Sequence, residues 1–394
     1  MRQFRAYVLV VVAFCASIAW SQAQSAKTSP YIDLGHFKGG KWAEACNINN
    51  AGIVVGFGSI PKGYTRPLFV PATGPNTGKW FDLGTLGGER TDWKVMAMGV
   101  SDTGIISGHS ATSQGTVHAF VWTPDAGMSD IGTWDGDAYS ASSNMNHLGT
   151  ILTGWSGNGF FGDTYSDGSY IPTEPVVWTP SPMWNGRKMV TVWKIQQLDT
   201  TGFESNILWL PNAANDSSQV VGLSVSPDGL DVPMLWTPGP KGWSVSQLPI
   251  PVGFDQAGSS DINERGEIAG WAAPADWSIW FPVVWKPQNA SRTSYTPVLL
   301  TSLTGSLQDG NGGWAEAWGI NDLGDVVGDS YDANGNDVAT VWSLKTPNTL
   351  QSLALPGAWN WAFKVNDHRL VVAFYAPDWT QEYVNENVVA VQLH

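Results

Sequence analysis

The sequence predicts an all-β protein, a seven-bladed β-propeller of four-stranded blades whose last blade is closed by the N-terminal strand. Three observations predict it. One short motif recurs seven times at intervals of 45 to 68 residues. Each copy is accompanied by two further short apolar runs. With 44 Gly and 24 Pro among 394 residues, the stretches between chain breakers are too short for long helices.

The motif reads small aliphatic, Asn or Asp, turn residues, Gly, aliphatics, Gly. Its clearest copy is Ile48-Asn49-Asn50-Ala51-Gly52-Ile53-Val54-Val55-Gly56. Others occupy 100–108, 145–154, 214–222, 262–270, 320–328 and 365–373; the fourth has Ser218 for its first glycine and the seventh has lost both. Asn and Asp close tight turns with their side chains, and Gly accepts positive φ, so each copy reads as a hairpin between two strands. Downstream lies a third run, usually ending in Trp, such as Ala119-Phe120-Val121-Trp122 or Pro282-Val283-Val284-Trp285. A fourth run ends near Gly, as in Phe81-Asp82-Leu83-Gly84. Runs of three to six Val, Ile, Leu, Phe and Trp residues bounded by turn formers are short strands. Four such strands per 40–50 residues make a propeller blade.

Chain order predicts how the ring closes. A Leu-Gly run comes first, at residues 31–35, and the seventh unit ends on its third strand at 388–393. Pairing the two completes the last blade and removes two exposed sheet edges. No composition break divides the chain, so residues 24–394 are expected to form a single propeller.

Residues 1–23 read as a secretory signal peptide. Arg2 and Arg5 precede an apolar run from Ala6 to Trp20, and Ser21-Gln22-Ala23 offers small residues for cleavage before Gln24. The run is short of the roughly 20 residues that span a bilayer. Cleavage takes two arginines from a net charge of −14, leaving −16, and leaves Cys46 as the sole cysteine. The mature chain is therefore expected to be monomeric, secreted to the periplasm or extracellular space, and built without disulfides or a thiolate zinc site. An acidic chain with no basic stretch excludes nucleic acid as the expected partner.

Residues 81–122 resemble the HAF-type extracellular repeat family, through Phe81-Asp82-Leu83-Gly84-Thr85-Leu86-Gly87-Gly88, Ala97-Met98-Gly99-Val100 and His118-Ala119-Phe120-Val121-Trp122. The other copies look like diverged members. The resemblance implies an exported bacterial protein and no defined activity, so it carries over no catalytic residues.

Catalytic signals are sparse. The six histidines show no ligand spacing, and no nucleophile elbow or phosphate loop occurs. No catalytic residue, metal ligand or cofactor is assigned. Glu44 and Glu316 sit at equal positions in Trp42-Ala43-Glu44-Ala45 and Trp314-Ala315-Glu316-Ala317, and that recurrence points to structure. A glycoside hydrolase or lyase would instead need channel carboxylates unique to one blade. Asp332-Ala333-Asn334-Gly335-Asn336-Asp337 offers oxygens for calcium and reads equally as a polar hairpin tip.

Tryptophan carries more. There are 23 copies, and Trp122, Trp178, Trp236, Trp285 and Trp342 end the third strand of five units, where they are expected to pack between blades. A second set, Trp42, Trp93, Tyr139, Trp314 and Trp359, lies in loops leading into each unit and is the candidate ligand-binding surface. The expected function is a binding or interaction module, its partner a polysaccharide or a surface protein.

Overall fold

The computed structural model describes residues 31–166, 171–203, 209–226, 228–240, 242–305, 314–377 and 387–394. The expected signal peptide lies outside them. Every regular element described is a strand. No helix is long and apolar enough to cross a membrane among the described residues. The fold is a β-propeller of four-stranded antiparallel sheets. Five sheets stand separately, over residues 43–82, 96–130, 139–197, 209–247 and 256–299.

The expectation of seven separate four-stranded blades is corrected at the end of the chain, where the sixth and seventh units form one eight-stranded sheet. The sixth supplies Ala315–Ile320, Asp325–Tyr331, Asp337–Ser343 and Thr346–Ser352. Trp359–Val365, Leu370–Ala376 and Asn387–Gln392 come from the seventh, and Tyr31–Gly35 from the N-terminus. A single parallel bridge, Asp337 to Trp359, joins the two halves. Asp337 N–H donates to Ala358 O at 3.0 Å, which draws the third strand of one unit against the first strand of the next. Tyr31–Gly35 runs antiparallel to Asn387–Gln392, with Tyr31 opposite Val391 and Ile32 opposite Ala390.

The repeat motif follows from three contacts. Asn49 Oδ1 accepts the Ile53 N–H at 2.8 Å, and Gly52 turns at φ 76°. Ser218 and Arg369 hold the same left-handed geometry, at φ 63° and 61°, in the degraded copies. The second glycine is needed for a different reason. A β-bulge brings the first strand so close that a Cβ at Gly328 would lie 1.8 Å from Glu316 O, and one at Gly56 1.9 Å from Glu44 O. The third contact reaches the neighbouring unit. Asn49 Nδ2 donates to Ser101 O at 2.8 Å, Asn215 to Asn263 O at 3.2 Å, Asn263 to Asn321 O at 3.0 Å and Asn321 to Asn366 O at 3.0 Å.

Four of the five third-strand tryptophans are fully buried and serve as staples. Trp178, Trp236, Trp285 and Trp342 each donate Nε1–H to a backbone carbonyl of the preceding unit's last run: Ile131, Asp199, Pro249 and Thr301, at 2.7–3.0 Å. Trp122 is half-buried and tilts against Phe69 at 5.5 Å. In the His-Ala-Phe copy, His118 Nδ1 lies 2.8 Å from Asp130 of the fourth strand.

Candidate functional site

First strands of all seven units line one axial cavity, contributing Asn47, Val100, Asn144, Ala214, Asp261, Ile320 and Lys364. Acidic side chains tie the units together. Asp102, Asp216, Glu264, Asp322 and Asp367 each accept a backbone N–H from the preceding unit: Asn50, Leu148, Asp216, Glu264 and Asp322, at 2.7–3.1 Å. Burial raises the pKa of Glu264 and of Asp322. Within the cavity lining, Lys364 pairs with Asp261 at 2.9 Å. The two carboxylates that line the cavity, Asp102 and Asp261, are thus both engaged with another unit.

The five aromatic site candidates occupy different environments. Trp93 is 42% exposed and meets Phe160 edge-on at 5.4 Å. Trp42 packs edge-on against Phe57 at 5.5 Å, and Tyr139 is half-buried beside Trp155 and Phe160. Trp359 is only 7% exposed, tilted on Trp361 at 5.5 Å. None of the described ring contacts joins two of the five.

Trp314 belongs to a continuous aromatic array. Trp271 and Trp280 stack at 4.6 Å, Trp280 and Trp314 at 5.8 Å, and Trp314 and Tyr331 at 6.3 Å, with interplanar angles of 30°, 18° and 27°. Trp277 leans on Trp271 and Trp280, at 5.5 and 5.0 Å, from φ 57°. That left-handed geometry costs an L-residue about 1–2 kcal/mol, and the surrounding indoles hold it. Trp277, Trp314 and Tyr331 keep part of their surface in solvent.

The array ends on three carboxyl groups. Glu316 and Asp329 are cross-strand partners, and Tyr331 lies opposite Asp337. Trp318 Nε1–H donates to Asp329 Oδ1 at 2.7 Å, and Trp361 Nε1–H donates to Asp337 Oδ2. These two indoles stack at 6.2 Å and 18°. Asp329 and Asp337 share a side-chain hydrogen bond, so one proton is held between two buried carboxyl groups. Burial pushes Asp329 up to about 7, and burial together with Asp329 raises Asp337 well above the carboxylate range. Glu316 rises by burial and by the charges of both aspartates.

Sequence reasoning missed Asp329, Asp337, Trp318, Trp361 and Tyr331 as a group. The signal lay in aligning the units: the position of Asp329 holds Phe57, His109, Trp155, Leu223, Trp271 and Phe374 in the other six. Glu316 has a copy in Glu44, but Glu44 stands opposite Phe57. The recurrence of that glutamate therefore does not make the surroundings equal. The calcium candidate resolves differently. Asp332 Oδ1 accepts the N–H groups of Asn334 and Asn336, at 2.8 and 2.9 Å, as a hairpin tip does, while Asp337 turns inward to the carboxyl group.

No family model matches the chain, and no curated protein is similar to it. Similar solved structures are TolB from Acinetobacter baumannii, at 10% identity and TM-score 0.44, covering 76% of this chain and 63% of TolB. A lectin from Burkholderia pseudomallei is similar at 10% identity and TM-score 0.43, covering 79% of this chain and 83% of its own. A sialidase from Trypanosoma rangeli is similar at 11% identity and TM-score 0.41, covering 93% of this chain and 60% of its own. The chain thus spans less than two thirds of TolB and of the sialidase. The likeness is one of fold.

Proposed function

We propose that residues 24–394 form one exported, closed seven-bladed propeller that acts as a carbohydrate-binding module, with the sugar laid along Trp277, Trp314 and Tyr331. Export rests on the leader pattern of residues 1–23. The seven-bladed reading takes the eight-stranded sheet as two blades joined by the one Asp337–Trp359 bridge. It is supported by the inter-unit asparagine bonds, which run on from Asn366 to Asn49.

The aromatic array carries the sugar reading. Sugar rings present C–H faces that pack on flat aromatic surfaces and hydroxyls that need polar partners, and this array supplies ring surface that ends at carboxyl oxygens. Trp314 is the member of the loop set placed to contact ligand, and the 42%-exposed Trp93 is an outlying contact. Affinity electrophoresis through gels containing neutral polysaccharides tests this. Trp314→Ala and Trp277→Ala should lose retention, while Trp184→Ala, at a 61%-exposed position on another hairpin, should keep it. Equal retention of all three variants, or none by the native protein, overturns the reading.

A second reading, a glycoside hydrolase, is favoured by one observation: Asp329 is raised to about 7, the range a general acid needs. New reducing ends released by the native protein and not by Asp329→Asn would establish it; their absence would dismiss it.

A further inference from the structure

The third unit carries a hairpin longer than its blade needs. Its third strand, Thr173–Trp184, pairs with the second strand only as far as Trp178, opposite Leu152. Residues 179–184 run on against 189–194 of the fourth strand, and at about 3.3 Å per residue they carry the tip about 20 Å past Leu152. Asn185 closes the turn, its Oδ1 accepting the N–H groups of Arg187 and Lys188 at 3.0 Å. Residues 182–189 are all exposed. Met183, Trp184 and Met189 stand 46%, 61% and 58% exposed, so three of the nine large hydrophobics exposed among the described residues crowd into one hairpin tip. Trp184 lies opposite Met189 and Pro180 opposite Trp193, and Trp193 packs on the core between the second and third units. One apolar face therefore runs from that core out to the tip.

We propose that this hairpin docks the propeller on an anionic lipid surface, with Met183, Trp184 and Met189 in the interface and Arg187 and Lys188 against lipid phosphates. Charge selects this occupant. In a chain of net charge −14, residues 175–198 hold Arg187, Lys188 and Lys194 and no Asp or Glu. None of the three cations enters a described ion pair. The flanking acids, Glu174 and Asp199, lie about 30 Å back from the tip along extended strands, beyond the roughly 8 Å over which charges act at physiological ionic strength. Indole rings settle at the headgroup level of a bilayer, and basic residues beside them gain from its negative surface potential. Backbone pairing argues against an added strand. Pro175 O accepts Leu198 N–H from the fourth strand, so the even-numbered residues turn their backbone groups to the opposite edge, and there Pro180 and Pro182 have no N–H to give.

The test is flotation of the full chain with two kinds of vesicle, phosphatidylcholine alone and a three-to-one mixture of phosphatidylcholine and phosphatidylglycerol. Residues 1–23 are common to every variant, so differences between variants report the hairpin. The native protein should bind the mixed vesicles at least tenfold more tightly than the neutral ones. Trp184→Ala should lose most of that binding. Arg187→Gln and Lys188→Gln should each weaken it about fivefold, and added salt should do the same. Leu148→Ala, which removes a 55%-exposed apolar side chain elsewhere in the same unit, should bind as the native protein does. So should Trp314→Ala, which keeps the lipid site distinct from the sugar platform. Equal binding of native protein and Trp184→Ala, or equal binding to neutral and anionic vesicles, overturns the proposal. A native chain that sediments as a dimer while Trp184→Ala sediments as a monomer assigns the hairpin to a second copy of the chain and overturns it as well.

Discussion

Asn366 Nδ2 donates to Asn49 O at 2.9 Å, joining residues 317 positions apart and linking the last repeat to the first. Beside it, Asp367 N–H donates to Asn50 Oδ1 at 2.9 Å, and Asn50 Nδ2 returns a bond to Asp367 Oδ2 at 2.9 Å. The bonds that pass from unit to unit thus reach back to the first unit without a covalent link.

Asn366→Ala should destabilise the protein by about 1–3 kcal/mol, because it removes the acceptor for the buried Leu370 N–H and takes from the Asn49 carbonyl one of its two donors, leaving only Gly52 N–H. Asn50→Ala, which touches the more exposed layer, should cost less. Urea denaturation of both variants checks the order. Equal losses would mean that the inner layer carries no special weight.

The Asp329–Asp337 pair makes stability depend on pH. Asp329 is raised from 3.8 to about 7 in the folded state, so between those values the native chain holds a proton that the unfolded chain has released. Stability should therefore fall as pH rises from about 4 to about 7, by as much as about 1.4 kcal/mol per pH unit from this group, whose own contribution levels off above. Asp329→Asn should flatten that slope and raise the melting temperature at pH 8, since its amide can donate to Asp337 and still accept from Trp318. A melting profile at pH 5, 6, 7 and 8 that is the same for both proteins would contradict the shared proton.

Two glycines of the sixth unit should respond differently to alanine. At Gly328 a Cβ would meet the Glu316 carbonyl at 1.8 Å, so backbone must move; the cost should be several kcal/mol or loss of folding. Gly335 has open space around it and only a positive φ of 79° to satisfy, so Gly335→Ala should cost about 1–2 kcal/mol. Thermal unfolding of the pair separates close approach from backbone conformation.

Trp285→Phe should cost about 1–3 kcal/mol at a fully buried site, since the ring is largely kept but Pro249 O loses its donor. Trp122→Phe, half-buried and with ring contacts instead, should cost less than about 1 kcal/mol. Chemical denaturation should rank them in that order; the reverse would mean that burial area, not the hydrogen bond, decides.

Much of the fold was legible because its determinants are local. The Asn-x-x-Gly turns, the β-rich runs and their sevenfold recurrence each need only a few neighbouring residues, and four-stranded sheets appear where those runs predicted. The third-strand tryptophans were legible as inter-unit packing, although not their carbonyl partners, which lie 36–47 residues away. Asparagine was legible as a turn former, and its second role, donating across units, was not, because the acceptor belongs to another repeat.

The candidate site was less legible. Trp314 was singled out by its loop position, but its value comes from Trp280 and Tyr331 on either side, and these arise from other segments of the chain. Glu316 was set aside because Glu44 repeats it. Asp329 was not singled out, and Asp337 was read only within the Asp332–Asp337 segment, as a calcium loop or a hairpin tip. By itself the sequence determined the strand pattern, the repeat count and the turn chemistry, since each depends on short-range preferences of Asn, Gly and β-branched residues. Only the tertiary structure decided that the last two units share one sheet and that three carboxyl groups of the sixth unit come together beside Trp361 of the seventh. Those outcomes depend on which side chains face one another across a seam, and a period of 45 to 68 residues leaves that undefined.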